Sequence, residues 1–305
     1  MPARNPRCQI VPQANFEVAF LVEGRERLRW HYGPQYPRPF FWPLIGPSGY
    51  HMTRLGHPGA PDHEHHRSIW FGHHKVSGVD FWSEKSRAHI RQKGWLAYEE
   101  GDQECVMAVL LGWYDGHDPK ELLEQQLIAA VRPFGQGELQ IEVQSTFIPQ
   151  ASVLEFGKTN FGFLGVRVAK HLSVYFAGGY ITNSNGLQNE KSVFGQPARW
   201  VDYSGFTPAE LLEGIAYYDH PANPRHPTPW HVREDGWLCA SLCMNEPITT
   251  TRDRPLILRY LLFVHRGGAE PNRLDYVFNE FKATTHYTVE KSTRQHVHYT
   301  IRRAQ

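Results

Sequence analysis

Short runs of alternating apolar and polar residues, separated by Gly, Pro, Asn and Asp, fill most of this sequence. FEVAFLV and RLRWHY flank EGRE between Phe16 and Tyr32 and predict a hairpin with Gly24 at its turn. GWLAYEE, ECVMAVLLGWY, ELQIEVQSTFIP, HLSVYFA, DGWLCASLCMN and LILRYLLFVHR read as further strands, rich in β-branched and aromatic residues. ELLEQQLIAAVRPF contains strong helix formers, but its strand-like flanks and Pro133 favour a strand. RPFFWPLIGPSG, from Arg38 to Gly49, predicts an irregular edge strand, because proline cannot donate to a ladder. A short helix is expected at PAELLEG, with Thr207 as its cap and Pro208 at the first helical position. Residues 1–15 read as a loose lead-in.

More than ten strands without a long linker predict an all-β fold: one large antiparallel two-sheet sandwich over residues 1–305, with few short helices. No GxGxxG or GxxxxGK[ST] loop is present, which argues against dinucleotide-binding and P-loop chemistry. A formal net charge of +1, with no basic block, argues against a nucleic-acid partner. The opening MPARNPRCQIVPQANF has no apolar core, and no run of about 18 apolar residues occurs, so a cytoplasmic protein without a membrane partner is expected. Cys8, Cys105, Cys239 and Cys243 match no zinc module, and the last two are expected to be buried free thiols. The sequence sets no oligomeric state.

Candidate chemistry concentrates in DHEHHRSIWFGHHKVSGVDFW, Asp62 to Trp82. This stretch holds His63, His65, His66, His73 and His74, with Arg67 and Asp80 beside them. Imidazole exchanges protons near neutral pH and is the commonest metal ligand. A second segment, YYDHPANPRHPTPWHVR, carries Asp219, His220, Arg225, His231 and Arg233 on a proline-stiffened loop. Its last residues should begin a strand, where His231 and Arg233 would share a face. A third, ITNSNGLQNEKSVFGQPARWVDYSG, offers Asn183 and Glu190 among other polar contacts.

Together these three segments resemble the PmoA-like bacterial family, whose signature reads DHxHHRG…FxHG…NGxDFW. The resemblance runs from about Arg38 to His265. Ser68, His74 and Ser77 stand where Gly, Gly and Asn are usual, and Ser68 matters if that backbone needs a positive φ. The resemblance implies a galactose mutarotase-like super-sandwich that binds sugars on a concave sheet. The methane-oxygenase activity in the family's name is not expected of a chain with no spanning segment.

The chemistry expected is that of a carbohydrate-active epimerase, lyase or glycoside-cleaving enzyme acting on a sugar or glycoside. His66 and His73 would be the proton donor and acceptor, Arg67 would stabilise developing negative charge, and Asp80 would orient a histidine. His231 and Arg233 would face them. Trp70 or Trp82 would stack on the sugar, and His63, His65, Asn183, Asp219, His220 and Arg225 would hold hydroxyls. A metal-dependent version would bind zinc or manganese through His63, His65 and His66, completed by His73 or Asp80. A non-catalytic sugar-binding protein would use the aromatics without needing tuned histidines.

Overall fold

The computed structural model describes residues 5–57 and 63–304. In chain order the strands are β1 (Cys8–Gln13), β2 (Glu17–Val22), β3 (Arg25–His31), β4 (Phe40–Leu44), β5 (Ile69–His73), β6 (His89–Glu99), β7 (Cys105–Tyr114), β8 (Leu123–Gly135), β9 (Glu138–Pro149), β10 (Leu154–Phe156), β11 (Gly162–Arg167), β12 (Tyr180–Asn183), β13 (Trp200–Phe206), β14 (Leu212–Asp219), β15 (Trp230–Arg233), β16 (Trp237–Ala240), β17 (Ile248–Thr250), β18 (Leu256–Arg266), β19 (Tyr287–Lys291) and β20 (Tyr299–Arg303). Two eight-stranded sheets result. The first is ordered β1-β2-β3-β4-β5-β11-β16-β15 and the second β12-β13-β14-β18-β9-β8-β7-β6. Each neighbouring pair in both sheets is antiparallel.

The fold is therefore the all-β two-sheet sandwich expected from the alternation. Its main core lies between the sheets, where Phe20, Phe71, Leu164 and Leu238 of the first meet Leu127, Val143, Tyr217 and Leu262 of the second. The outer face of the second sheet is covered at two places. Leu274, Val277, Phe278 and Phe281 of a helix at Pro271–Ala283 pack on Trp200, Tyr218 and Phe263. Tyr287 and Ile301 of the β19–β20 hairpin pack on Val106 and Ile128.

Several local expectations are corrected. Cys8–Gln13, read as loose lead-in, pairs with β2 along its whole length. β4 is an interior strand, not an edge. Pro43 is accommodated because the β3–β4 register slips by one residue between Leu28↔Leu44 and Trp30↔Phe41. HLSVYFA is not a strand: a 3-10 turn at Lys170–Leu172 is followed by a helical turn, α1 (Val174–Ala177). Ser173 caps α1 by accepting from the Phe176 N–H, and left-handed Gly178 closes it. The expected helix at PAELLEG is a turn in the β13–β14 hairpin, because Thr207 and Leu211 pair through their backbones. The helix at Pro271–Ala283, by contrast, follows a 274/277/278/281 apolar spacing outside the motifs singled out above. ELLEQQLIAAVRPF is strand β8, as expected.

Candidate active site

The pleat of the first sheet builds the site. Ile69 and Phe71 of β5, Leu164 and Val166 of β11, Leu238 and Ala240 of β16, and Trp230 and Val232 of β15 enter the main core. The alternate residues point to the sheet's other face. Strand register sets them in two rows, Trp70–Gly165–Cys239–His231 and Arg167–Trp237–Arg233. Gly165 is the low point of this floor. A Cβ there would lie 2.5 Å from Cη2 of Trp237 and 3.1 Å from Cζ2 of Trp70. Both indoles lean over the glycine, and with Trp82 and Phe40 they form a separate aromatic cluster.

Above this floor is a cavity of about 720 Å³. Its walls include His63, His65 and His66 from the histidine-rich segment, Phe161, Arg167, His231 and the β15–β16 hairpin. His66 is 7% exposed. Its ring stacks on Trp237 (centroids 5.0 Å apart, 21° between planes) and tilts over Trp70 at 5.4 Å. The loop reaches this position through Ser68, whose φ of 58° is the positive value its departure from Gly brings into question. The Ser68 hydroxyl donates to Thr53 Oγ1 at 2.7 Å. Burial, reinforced by neighbouring histidines and Arg167, pushes the His66 pKa far below its ordinary value, and Nδ1 is buried without a protein partner.

His231 is 2% exposed. Its Nδ1 lies 3.0 Å from the Asn160 carbonyl, which can only accept, so Nδ1 carries the proton and Nε2 keeps the lone pair. Burial lowers its pKa to about 4. Arg167 is fully buried and donates from Nη1 to Asp235 Oδ1 at 2.9 Å, while Nε and Nη2 have no protein partner. Burial alone would raise the Asp235 pKa, but Arg167, with His57 bonded to Oδ2 at 2.9 Å, holds it below the ordinary value. A neutral imidazole, a second imidazole on an indole, and a guanidinium with an unused edge thus surround one aromatic-floored space. Such a set can take a proton from a bound molecule and stabilise the negative charge left behind.

Of the residues singled out in the sequence, His63, His65, His66, Asp80, Trp82, His231 and Arg233 line the cavity, and Trp70 lies beneath His66. Both histidine-bearing segments therefore meet at one place. His73 does not. It shares the core parity of Ile69 and Phe71, is fully buried against Phe156 and Phe163, and its Nδ1 accepts from the Lys75 N–H. Arg67 is held in an ion pair with Glu84 and lies over Tyr36, so its charge is already matched. Asp80 accepts from the Trp82 and Ser83 N–H groups at 2.7 and 3.0 Å, and its nearest histidine contact is His74 Nε2 at 3.9 Å. It shapes a turn and orients no imidazole by a hydrogen bond.

Four further residues expected to hold hydroxyls lie away from the cavity. Asn183 uses its carbonyl to accept from the Asn185 and Leu187 N–H groups. Asp219 is buried and tied to Asn223, His226 and Thr228. His220 packs on Phe281 beside Arg259. Arg225 donates to the carbonyls of Glu246 and Pro247. The proline-rich loop is thus fastened by its own polar groups, and only its exit strand β15 reaches the site. Asp62 lies outside the described residues.

Arg167, Phe161, Asp235 and Trp237 were not anticipated. The signal for Arg167 was a lone charge in the apolar run GFLGVRV; for Trp237 and Asp235 it was the EDGW turn, which reads as a hairpin. For the metal set, His63, His65 and His66 adjoin with centroids 4.3–5.9 Å apart, but His73 is in the core. Among the described residues no three His, Cys, Asp or Glu side chains are placed to hold a metal ion. All four cysteines are buried and free. No helix among the described residues is long and apolar enough to cross a membrane.

Comparison with known proteins returns a family of unknown function, DUF6807, over residues 17–279, rather than the PmoA-like family that the motifs resemble. No curated protein matches the chain. Among solved structures, a candidate mutarotase (YeaD) from Salmonella typhimurium is similar at a TM-score of 0.38 and 12% identity, over 88% of this chain and 96% of that one.

Proposed function

We infer the function of this chain, which belongs to the DUF6807 family of unknown function, from its cavity: it is a carbohydrate-active enzyme that works by acid–base chemistry, in a cytoplasmic setting. The observation that carries this reading is the pairing of His66 and His231 across Trp237, with Arg167 beside them. A cavity with an aromatic floor, Phe161 in its wall and polar groups around it suits the two-sided chemistry of a sugar ring, apolar on its C–H face and polar at its hydroxyls.

His231 is the base. Its Nδ1–H···O=C bond fixes the tautomer, and its lowered pKa keeps Nε2 unprotonated at neutral pH. Arg167 stabilises the oxyanion that forms when a proton leaves a carbon or hydroxyl next to a sugar carbonyl, and Asp235 positions the guanidinium. His66 rests on the platform as the second proton-transfer group. This set favours epimerisation or elimination over hydrolysis by paired carboxylates, since among the described residues of the cavity wall the buried atoms with unmet hydrogen-bonding capacity belong to His66, Arg167, Trp82 and Trp237 and to no carboxylate.

The test is proton NMR in D2O over a panel of aldoses, ketoses, uronic acids and glycosides. Enzyme-dependent deuterium incorporation, epimer formation or elimination is expected, and His231→Gln should remove it while sugar still binds. Binding without turnover by the wild type would make the protein a sugar-binding module. Turnover that survives His231→Gln would remove His231 as the base.

A further inference from the structure

Beside the first cavity lies a second of about 370 Å³, lined by His57, Tyr175, Phe176, Glu190 and residues 233–235. Arg233 and Asp235 line both, so the two spaces share a wall. The wall is slight. Arg233 Nη1 meets Glu190 Oε1 at 2.6 Å, with side chains 45% and 29% exposed. Ion pairs this exposed contribute little to stability; this one is seated by the Glu234 N–H, which donates to Glu190 Oε2 at 2.8 Å, and by Phe194 beneath Arg233.

The far side of the second cavity is an aromatic shelf. Tyr175 is 75% exposed, yet its backbone is tied down. Its N–H donates to the Glu234 carbonyl at 2.9 Å, which fastens α1 to the β15–β16 turn. Its ring meets Phe176 edge-on at 4.9 Å, and Phe176 is held by Arg54 and Lys170, 5.6 and 5.5 Å from its centroid. An outward ring on a fastened backbone, beside an imidazole and a carboxylate, repeats in small the aromatic-and-polar composition of the first cavity.

We propose that the second cavity is a second sugar subsite, so that the substrate is a glycoside of at least two sugar rings. The reacting ring lies in the first cavity between His66 and His231, and the next ring over Tyr175, with the linkage crossing the Arg233–Glu190 pair. This rests on the carbohydrate reading of the first cavity and narrows its substrate class.

Titration calorimetry on the full chain tests it, with free hexoses, pentoses and uronic acids set against disaccharides built from them. Wild type should bind a disaccharide about tenfold or more tightly than either component, the scale of one stacking contact. Tyr175→Ala should erase most of that preference, and Tyr175→Phe should keep it; circular dichroism checks that both remain folded. Equal affinity for the two sizes, or a preference that survives Tyr175→Ala, would overturn the second subsite and leave the sugar reading intact. If neither size binds, the carbohydrate reading falls and takes the subsite with it.

Discussion

The His66 imidazole lies on the Trp237 indole, centroids 5.0 Å apart and planes 21° from parallel. A loop histidine and a strand tryptophan, far apart in sequence, form one surface. Trp237→Phe preserves an aromatic floor and should leave thermal stability within a few degrees of wild type, while sugar affinity falls several-fold because His66 loses part of its seat. Trp237→Ala should cost about 3–5 kcal/mol of stability as well. Chemical denaturation and calorimetry separate the two effects; a Trp237→Phe variant with full affinity would remove Trp237 as the support that positions His66.

Gly165 should be intolerant of even one methyl group. Ala at this position puts Cβ 2.5 Å from the Trp237 ring, so the floor must move. Gly165→Ala is expected to destabilise by about 1–3 kcal/mol and to lower ligand affinity more than that loss explains. Denaturant melts and ligand titration report the two quantities.

The His231 pKa is lowered from 6.5 to about 4 by burial. The unfolded chain therefore binds a proton near pH 6.5 that the folded chain refuses until about pH 4. This contribution to stability is full above pH 6.5 and declines as pH falls between those values. His231→Gln should flatten that part of the Tm-against-pH curve. Identical slopes for variant and wild type would place the low-pH loss elsewhere.

Beneath the second sheet's outer cover, His265 Nε2 meets Asp202 Oδ2 at 2.6 Å, and Ser204 also bonds the carboxylate. Burial opposes charging His265, but Asp202 outweighs it and raises the pKa. Stability from this pair is full below the unfolded histidine pKa and is lost as pH rises through the folded value. Asp202→Ala leaves a buried imidazole unmatched and should cost about 3–5 kcal/mol, with little effect on ligand binding. Denaturant unfolding at several pH values checks both size and sign.

Much of this was legible in the chain. Period-two alternation with turn residues specifies strands, and so many strands require stacked sheets. The density of His, Arg and Trp in residues 63–82 and 230–233 marks segments that line the cavity. Parity was legible too: His73 stands two residues from Phe71, so a strand that buries Phe71 in the core buries His73 with it. His231 and Arg233 share the opposite parity to core-facing Trp230 and Val232.

What the sequence by itself determined is the fold class and the two segments that meet at the cavity, because these follow from local periodicity and residue chemistry. Only the tertiary structure decided which charges are spent and which are available. Arg67 is matched by Glu84 and Asp219 by its own loop, whereas Arg167 keeps an unpartnered edge. That difference arises from strand order: β11 is inserted between β5 and β16, bringing Gly165 and Arg167 beneath residues distant in sequence. Long-range pairing sets each group's neighbours and burial, and these set its charge and its availability.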